Sequence, residues 1–246
     1  MEVLLLRFEA PLMSFGAPIV DNRGVIQPYP ALSMICGLLG NALGYHHRDA
    51  DALHRLQERL RYASRQDRRG TRLRDYQTVD LGQDFMRDDC AWTTRGELER
   101  RKGGSASTGT HIRLRDYWAD AAHTVALTLD PADEAPAPGE LAEALERPER
   151  PLFIGRKPCL PAGRMLLGCV DAPNLLHALC RAPAADGAGP GELVPAWWPT
   201  EPGEDEPGRT KRPVTDARDW ANQVHVGQRW VASGQIEIEP EDHHHG

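Results

Sequence analysis

This chain predicts an α+β fold of ferredoxin-like order, on three observations. Apolar, β-prone runs and helix-period stretches follow one another as strand, helix, strand, strand, helix, strand. A long polar insertion from about Val79 to Thr110 separates the second strand from the third. A last set of β-prone runs follows an acidic Pro/Gly-rich stretch, which predicts a small C-terminal β-rich extension. With 246 residues, one large domain over 1–183 and an extension over 184–246 account for the length.

Val3 to Glu9 is apolar without clean alternation, as a strand buried on both faces is. A turn-rich loop, Pro11 to Pro30, leads to a helix over Ala31 to Leu43, with Gly44 as its C-terminal stop. Asp51 is positioned to cap a second helix bearing Leu53, Leu56 and Leu60 on one face. Tyr62 to Arg65 and His123 to Leu129 read as strands, Gly139 to Glu146 as a helix, Met165 to Val170 as a strand and Ala172 to Cys180 as a helix. Ala184 to Lys211 reads as a linker or mobile loop. Val224 to Val231 and Gln235 to Ile238 then read as a closing hairpin.

The net charge is −7, yet Arg55 to Arg115 holds 15 Lys/Arg against 9 Asp/Glu. Such a segment is either a localised anion-binding surface or a solvated, salt-bridged face. The odd set of five cysteines has no CxxC pair, which points to reduced thiols and a cytoplasmic location. The N-terminus lacks a basic n-region, and the Ala31–Gly44 stretch is too short and polar to span a bilayer, so no membrane role is expected. His243 to His245 is excluded from the chemistry. No HExxH, zinc-finger, GxSxG, SxxK or Walker pattern is present, so no metal, cofactor or catalytic nucleophile is expected.

Ser33, Gly37, Gly40 and Gly44 line one helix face. The glycines imply close packing, and Ser33 at the helix start is a candidate phosphate contact. Gly155-Arg156-Lys157-Pro158 is a basic, glycine-bearing loop suited to a phosphate or to an ordinary turn. The tetrapeptide Leu-Arg-Asp-Tyr occurs twice, at 73–76 and 114–117, too short to count as a repeat. Its tyrosines, Tyr76 and Tyr117, stand beside Arg74 and Arg115, where they could stack on bases or sit half-buried in strands. Arg23 and Arg113 extend the basic set. His111, near Lys102 and Arg113, leaves open metal-independent RNA cleavage by general acid–base chemistry.

Several blocks together resemble one family. They are Val3 to Phe8 with Pro11 to Gly16, Pro30 to Gly44, Leu73 to Val79, Arg115 to Tyr117 with His123 to Leu127, and Phe153 to Cys159. In this order they are similar to the Cas-five (CasD) family of the type I-E CRISPR Cascade complex, within the RAMP superfamily. Phe15 stands where that pattern has tryptophan, and the region from Ala184 to Glu206 has no counterpart in it. The resemblance implies an RNA-recognition-like fold with an inserted β-hairpin thumb at about 79–113. The glycine- and serine-rich tip of that insertion, Lys102 to Gly109, predicts a hairpin that is mobile in the free subunit. The resemblance also implies a non-catalytic subunit that caps the 5′ handle of the guide RNA (crRNA) at the handle–spacer junction. Its implied partners are crRNA, a backbone subunit, a large subunit and, through the complex only, target DNA. The expected RNA contacts are Arg23, Ser33, Arg74, Tyr76, Arg113, Arg115, Arg156 and Lys157. The alternative is an endoribonuclease acting on repeat RNA.

Overall fold

Residues 1–17, 23–80, 90–92, 98–100, 110–202 and 209–240 are described by the structure, a computed structural model. The first strand, β1 (Glu2–Met13), sends Leu4, Leu6 and Phe8 into one apolar core and Val3 and Leu5 into another. Two covered faces explain its apolar run. A two-residue strand, β2 (Arg23–Gly24), precedes α1 (Leu32–Ala42). That helix ends where Gly44 takes φ +84° and Tyr45 N–H reaches back to the Gly40 carbonyl at 2.8 Å. The next helix, α2 (Ala50–Arg59), starts after Asp49 rather than after Asp51. Asp51 lies inside the first turn, where its charge suits the helix dipole.

β3 (Leu60–Arg68) and β4 (Thr71–Asp80) follow, and both pair antiparallel with the 20-residue β7 (Thr110–Leu129). β3 covers residues 122–129 of β7 and β4 covers 110–119. The strand that leads into the expected insertion therefore begins at Thr71, eight residues before Val79. At the corner, Gly70 has φ +64°, and a Cβ there would lie 2.4 Å from the Ala119 carbonyl oxygen. Within the insertion, β5 (Cys90–Trp92) and β6 (Leu98–Arg100) pair with each other. The expected tip, Lys102 to Gly109, lies outside the described residues.

α3 (Pro138–Glu146), β8 (Leu166–Asp171) and α4 (Leu175–Arg181) complete the first part. Asn174 caps α4, its side-chain oxygen accepting from His177 N–H at 2.8 Å. The stretch read as a linker contains β9 (Leu193–Thr200), which pairs with β3 through Trp197 and Ala196. Val194, Ala196 and Trp198 alternate into the second core. The expected closing hairpin also resolves differently. After β10 (Thr210–Val214), β11 (Ala217–Asp219) pairs with β12 (Val224–Val226), while β13 (Arg229–Glu237) is one strand between β9 and β10.

The described residues thus form a nine-stranded sheet of order β10-β13-β9-β3-β7-β1-β8, with β2 and β4 beside β7. Helices α1, α2 and α3 cover one face and α4 the other. The boundary expected at 183/184 falls between α4 and β9. Among the described residues no helix is long and apolar enough to cross a membrane.

Candidate nucleic-acid interface

The arginine-rich segment divides into two populations. Arg59 and Arg65 are completely buried. Arg59 donates to the carbonyls of Pro131, Glu134, Ala135 and Pro136. Arg65 binds Asp67 at 2.6 Å and the carbonyls of Leu179, Ala182 and Pro183. Arg55 pairs with Glu134, and Arg68 pairs with Glu9 and Asp120. These cations hold the fold together, so the salt-bridged alternative describes the earlier part of the segment and the anion-binding alternative is left to its later part.

That later part is the β4–β7 ribbon. Its register lays the two Leu-Arg-Asp-Tyr copies against each other, Leu73 opposite Tyr117, Arg74 opposite Asp116, Asp75 opposite Arg115 and Tyr76 opposite Leu114. The motif is self-complementary when antiparallel, because each arginine falls opposite an aspartate in the register. Successive side chains alternate between faces. One face therefore carries Arg72, Arg74, Tyr76 and Asp116, and the other carries Leu73, Asp75, Arg113, Arg115 and Tyr117. Tyr76 is exposed, whereas Tyr117 is buried.

Asp116 is buried and accepts from Arg74 Nε at 2.8 Å and from Arg72. The Arg74 and Arg72 hydrogen bonds outweigh burial and hold its carboxyl down to about 2. Arg72 was not among the sequence candidates, and neither was Asp116. The palindromic pairing of the two motifs was the signal that points to the carboxylate.

Of the other candidates, Arg23 is exposed and pairs through its backbone with Leu114 of β7. Arg113, Arg115 and Lys157 are exposed, with no ion pair to a described residue. Arg156 is different. Its Nη1 donates to the Asp116 carbonyl at 3.0 Å and its Nη2 to the Gly24 carbonyl at 3.1 Å, and the guanidinium lies 4.9 Å over the Tyr117 ring. It ties the loop to β2 and β7. Gly155, at φ +94°, lets that loop approach: a Cβ would sit 1.9 Å from the Ser14 carbonyl oxygen.

Ser33 does not meet its expectation. It is buried, and its N–H donates to the Asp216 carbonyl at 3.0 Å. Leu32 N–H donates to the Asp216 carboxylate, also at 3.0 Å. The chain's own carboxylate, gripped by Arg229 at 2.7 Å, thus occupies the helix start where a phosphate was expected. The glycine stripe does what close packing requires, since Gly37 faces Trp220 and a Cβ on Gly40 would lie 2.6 Å from Leu53. The acid–base candidate His111 pairs with Val79 in the register, and its side chain lies outside the described set. His123 is fully buried against the edge of Phe15, and burial pushes its ring down to about 4.

A family model described as CRISPR-associated protein, Cas5, matches residues 3–232. The chain belongs to the Cas5 family of CRISPR-associated proteins. It is 32% identical over 184 residues to the CRISPR system Cascade subunit CasD of Escherichia coli (strain K12), covering 72% of this chain and 75% of that protein. Its fold superposes on a chain of a CRISPR RNA-guided surveillance complex with TM-score 0.67 and 24% identity, over 96% of this chain and 90% of the other. A second similar structure, titled as a crystal structure of a Cas protein, gives TM-score 0.64 and 26% identity over 97% and 98% of the two chains. The ribbon, the Arg156 loop and β2 all fall within the Cas5-matched span.

Proposed function

We propose that this Cas5-family chain is a Cascade subunit that binds guide RNA at its 5′ handle without cutting it, with the β4–β7 ribbon as the thumb at the handle–spacer junction. The observation that carries this is the ribbon itself. It extends past the end of β1, which pairs only with its base at Ala119 and Trp118, and farther out it pairs within itself and with β2. It carries the exposed cations Arg113 and Arg115 on one face and Arg72, Arg74 and Tyr76 on the other. A cationic strand pair with an exposed aromatic suits a sugar-phosphate backbone and an unstacked base. The strand order β8-β1-β7-β3, with α1 after β1 and α3 after β7, supports the ferredoxin-like RAMP assignment. The curated relative is named as a Cascade subunit, which supports assembly with a backbone subunit and a large subunit and contact with target DNA only through the complex.

Purified protein incubated with repeat RNA carrying the handle, in EDTA, tests the assignment. The expected result is intact RNA in a retained complex. Cleavage at the handle boundary establishes the endoribonuclease instead, and RNA that is neither bound nor cut contradicts both.

A further inference from the structure

Asp116 lies opposite Arg74 on the ribbon, and its surroundings are unusual for a surface ion pair. Its side chain is 3% exposed, while those of its partners Arg72 and Arg74 are 52% and 51% exposed. Arg74 approaches it with Nε at 2.8 Å and Nη2 at 3.2 Å, and Arg72 approaches through Nη2 alone. A guanidinium has five N–H donors. Most donors of both arginines are therefore left for something outside the protein. Arg72 and Arg74 are two residues apart on one strand, which sets their α-carbons about 6.8 Å apart on the same face. Tyr76, 60% exposed, continues that row.

Two half-exposed arginines around one carboxylate retain a net positive charge. What the carboxylate does is fix the direction of two otherwise flexible side chains, which lowers the ordering cost of a ligand that meets them. Guanidinium forks match the geometry of phosphate oxygens. We propose that Arg72 and Arg74 form a preorganised site for a backbone phosphate of single-stranded RNA, with Asp116 as the positioning residue. This deepens the RNA-binding assignment above and rests on it.

Charge alone and positioning make opposite predictions. If Asp116 merely neutralises the arginines, removing its charge strengthens RNA binding. If it positions them, Asp116→Asn weakens binding although the surface becomes more positive. Asp75→Asn is a matched control, because it removes a carboxylate from the same ribbon that accepts from Gln77 and does not touch the trio.

The test measures dissociation constants of the three proteins for handle RNA across a salt series, with thermal melts in parallel. Asp116→Asn should bind about tenfold more weakly, the scale of one charge-assisted hydrogen bond, and Asp75→Asn as tightly as wild type or more so. Arg72→Lys keeps the charge and loses the fork. It should weaken binding at an unchanged salt slope, and this variant decides the matter if Asp116→Asn does not fold. Binding by Asp116→Asn at or above the wild-type level, or by Arg72→Lys at the wild-type level, overturns the positioning role while leaving RNA binding intact. Wild-type protein without salt-dependent RNA binding overturns the functional assignment itself, and this site with it.

Discussion

Arg156 and Lys157 are adjacent, equally charged and equally attractive as phosphate contacts from sequence, yet the structure separates them. Replacing Arg156 by alanine removes two hydrogen bonds to the Asp116 and Gly24 carbonyls and a guanidinium–ring contact with Tyr117. A hydrogen bond from a charged donor contributes about 1.5 kcal/mol at the low end suited to a half-buried group. The ring contact adds on the order of 0.5–1 kcal/mol. The loss is therefore about 3–4 kcal/mol, and for a chain of this size it lowers the melting temperature by roughly 10 °C. Lys157 is exposed, so its alanine variant should melt within about 0.5 kcal/mol of wild type. Its effect should appear in the salt dependence of RNA binding. Thermal melts followed by circular dichroism, paired with RNA titrations on the same samples, separate the two roles. An Arg156→Ala protein that melts like wild type and loses one phosphate's worth of salt slope would refute the structural assignment.

Gly155→Ala should destabilise strongly, because its φ of +94° and the Ser14 carbonyl 1.9 Å from a Cβ both exclude a side chain, whereas Gly163→Ala has open space and should be near neutral. Parallel melts of the two variants check this, and equal melting temperatures would contradict it. Burial lowers the His123 pKa in the folded state from 6.5 to about 4. The unfolded chain then binds more protons, so stability is complete above pH 6.5 and falls as pH drops toward 4, by about 3 kcal/mol. Urea unfolding across that window should show the loss, and His123→Gln should flatten it.

The legible parts of the fold were those with local signals. The Ala31–Leu43 helix and its glycine stripe could be read because the spacing and the stop at Gly44 are local features. The strand β9 was hidden by Pro195 and Pro199, which suggest a linker. Its pairing with β3 is confined to Ala196 and Trp197, between the two prolines that cannot donate to a ladder. The alternation of Val194, Ala196 and Trp198 was present but short. Which arginines serve the fold was illegible for a different reason. Partners such as the carbonyls of residues 131–136 for Arg59 and of 179–183 for Arg65 lie some 70 and 115 residues away along the chain, and no local pattern announces them. Ser33 failed likewise, through Asp216 from the far end of the sequence. Arg74, Tyr76 and Arg115 stand out in the sequence because the doubled motif contains them, and Arg113 because it adjoins the second copy, while the Arg72–Asp116 contact is visible only in the register.

In the proposed function, the ribbon and the loop beside it hold RNA through its phosphates. The slope of log K against log salt for handle RNA, measured for wild type and for the Arg113→Ala, Arg115→Ala, Lys157→Ala triple variant, tests it most directly. Each lost phosphate contact on single-stranded RNA removes about 0.7 from the slope. The triple variant should therefore show a slope shallower by about 2, with an unchanged melting temperature. A slope equal to that of wild type would contradict the account.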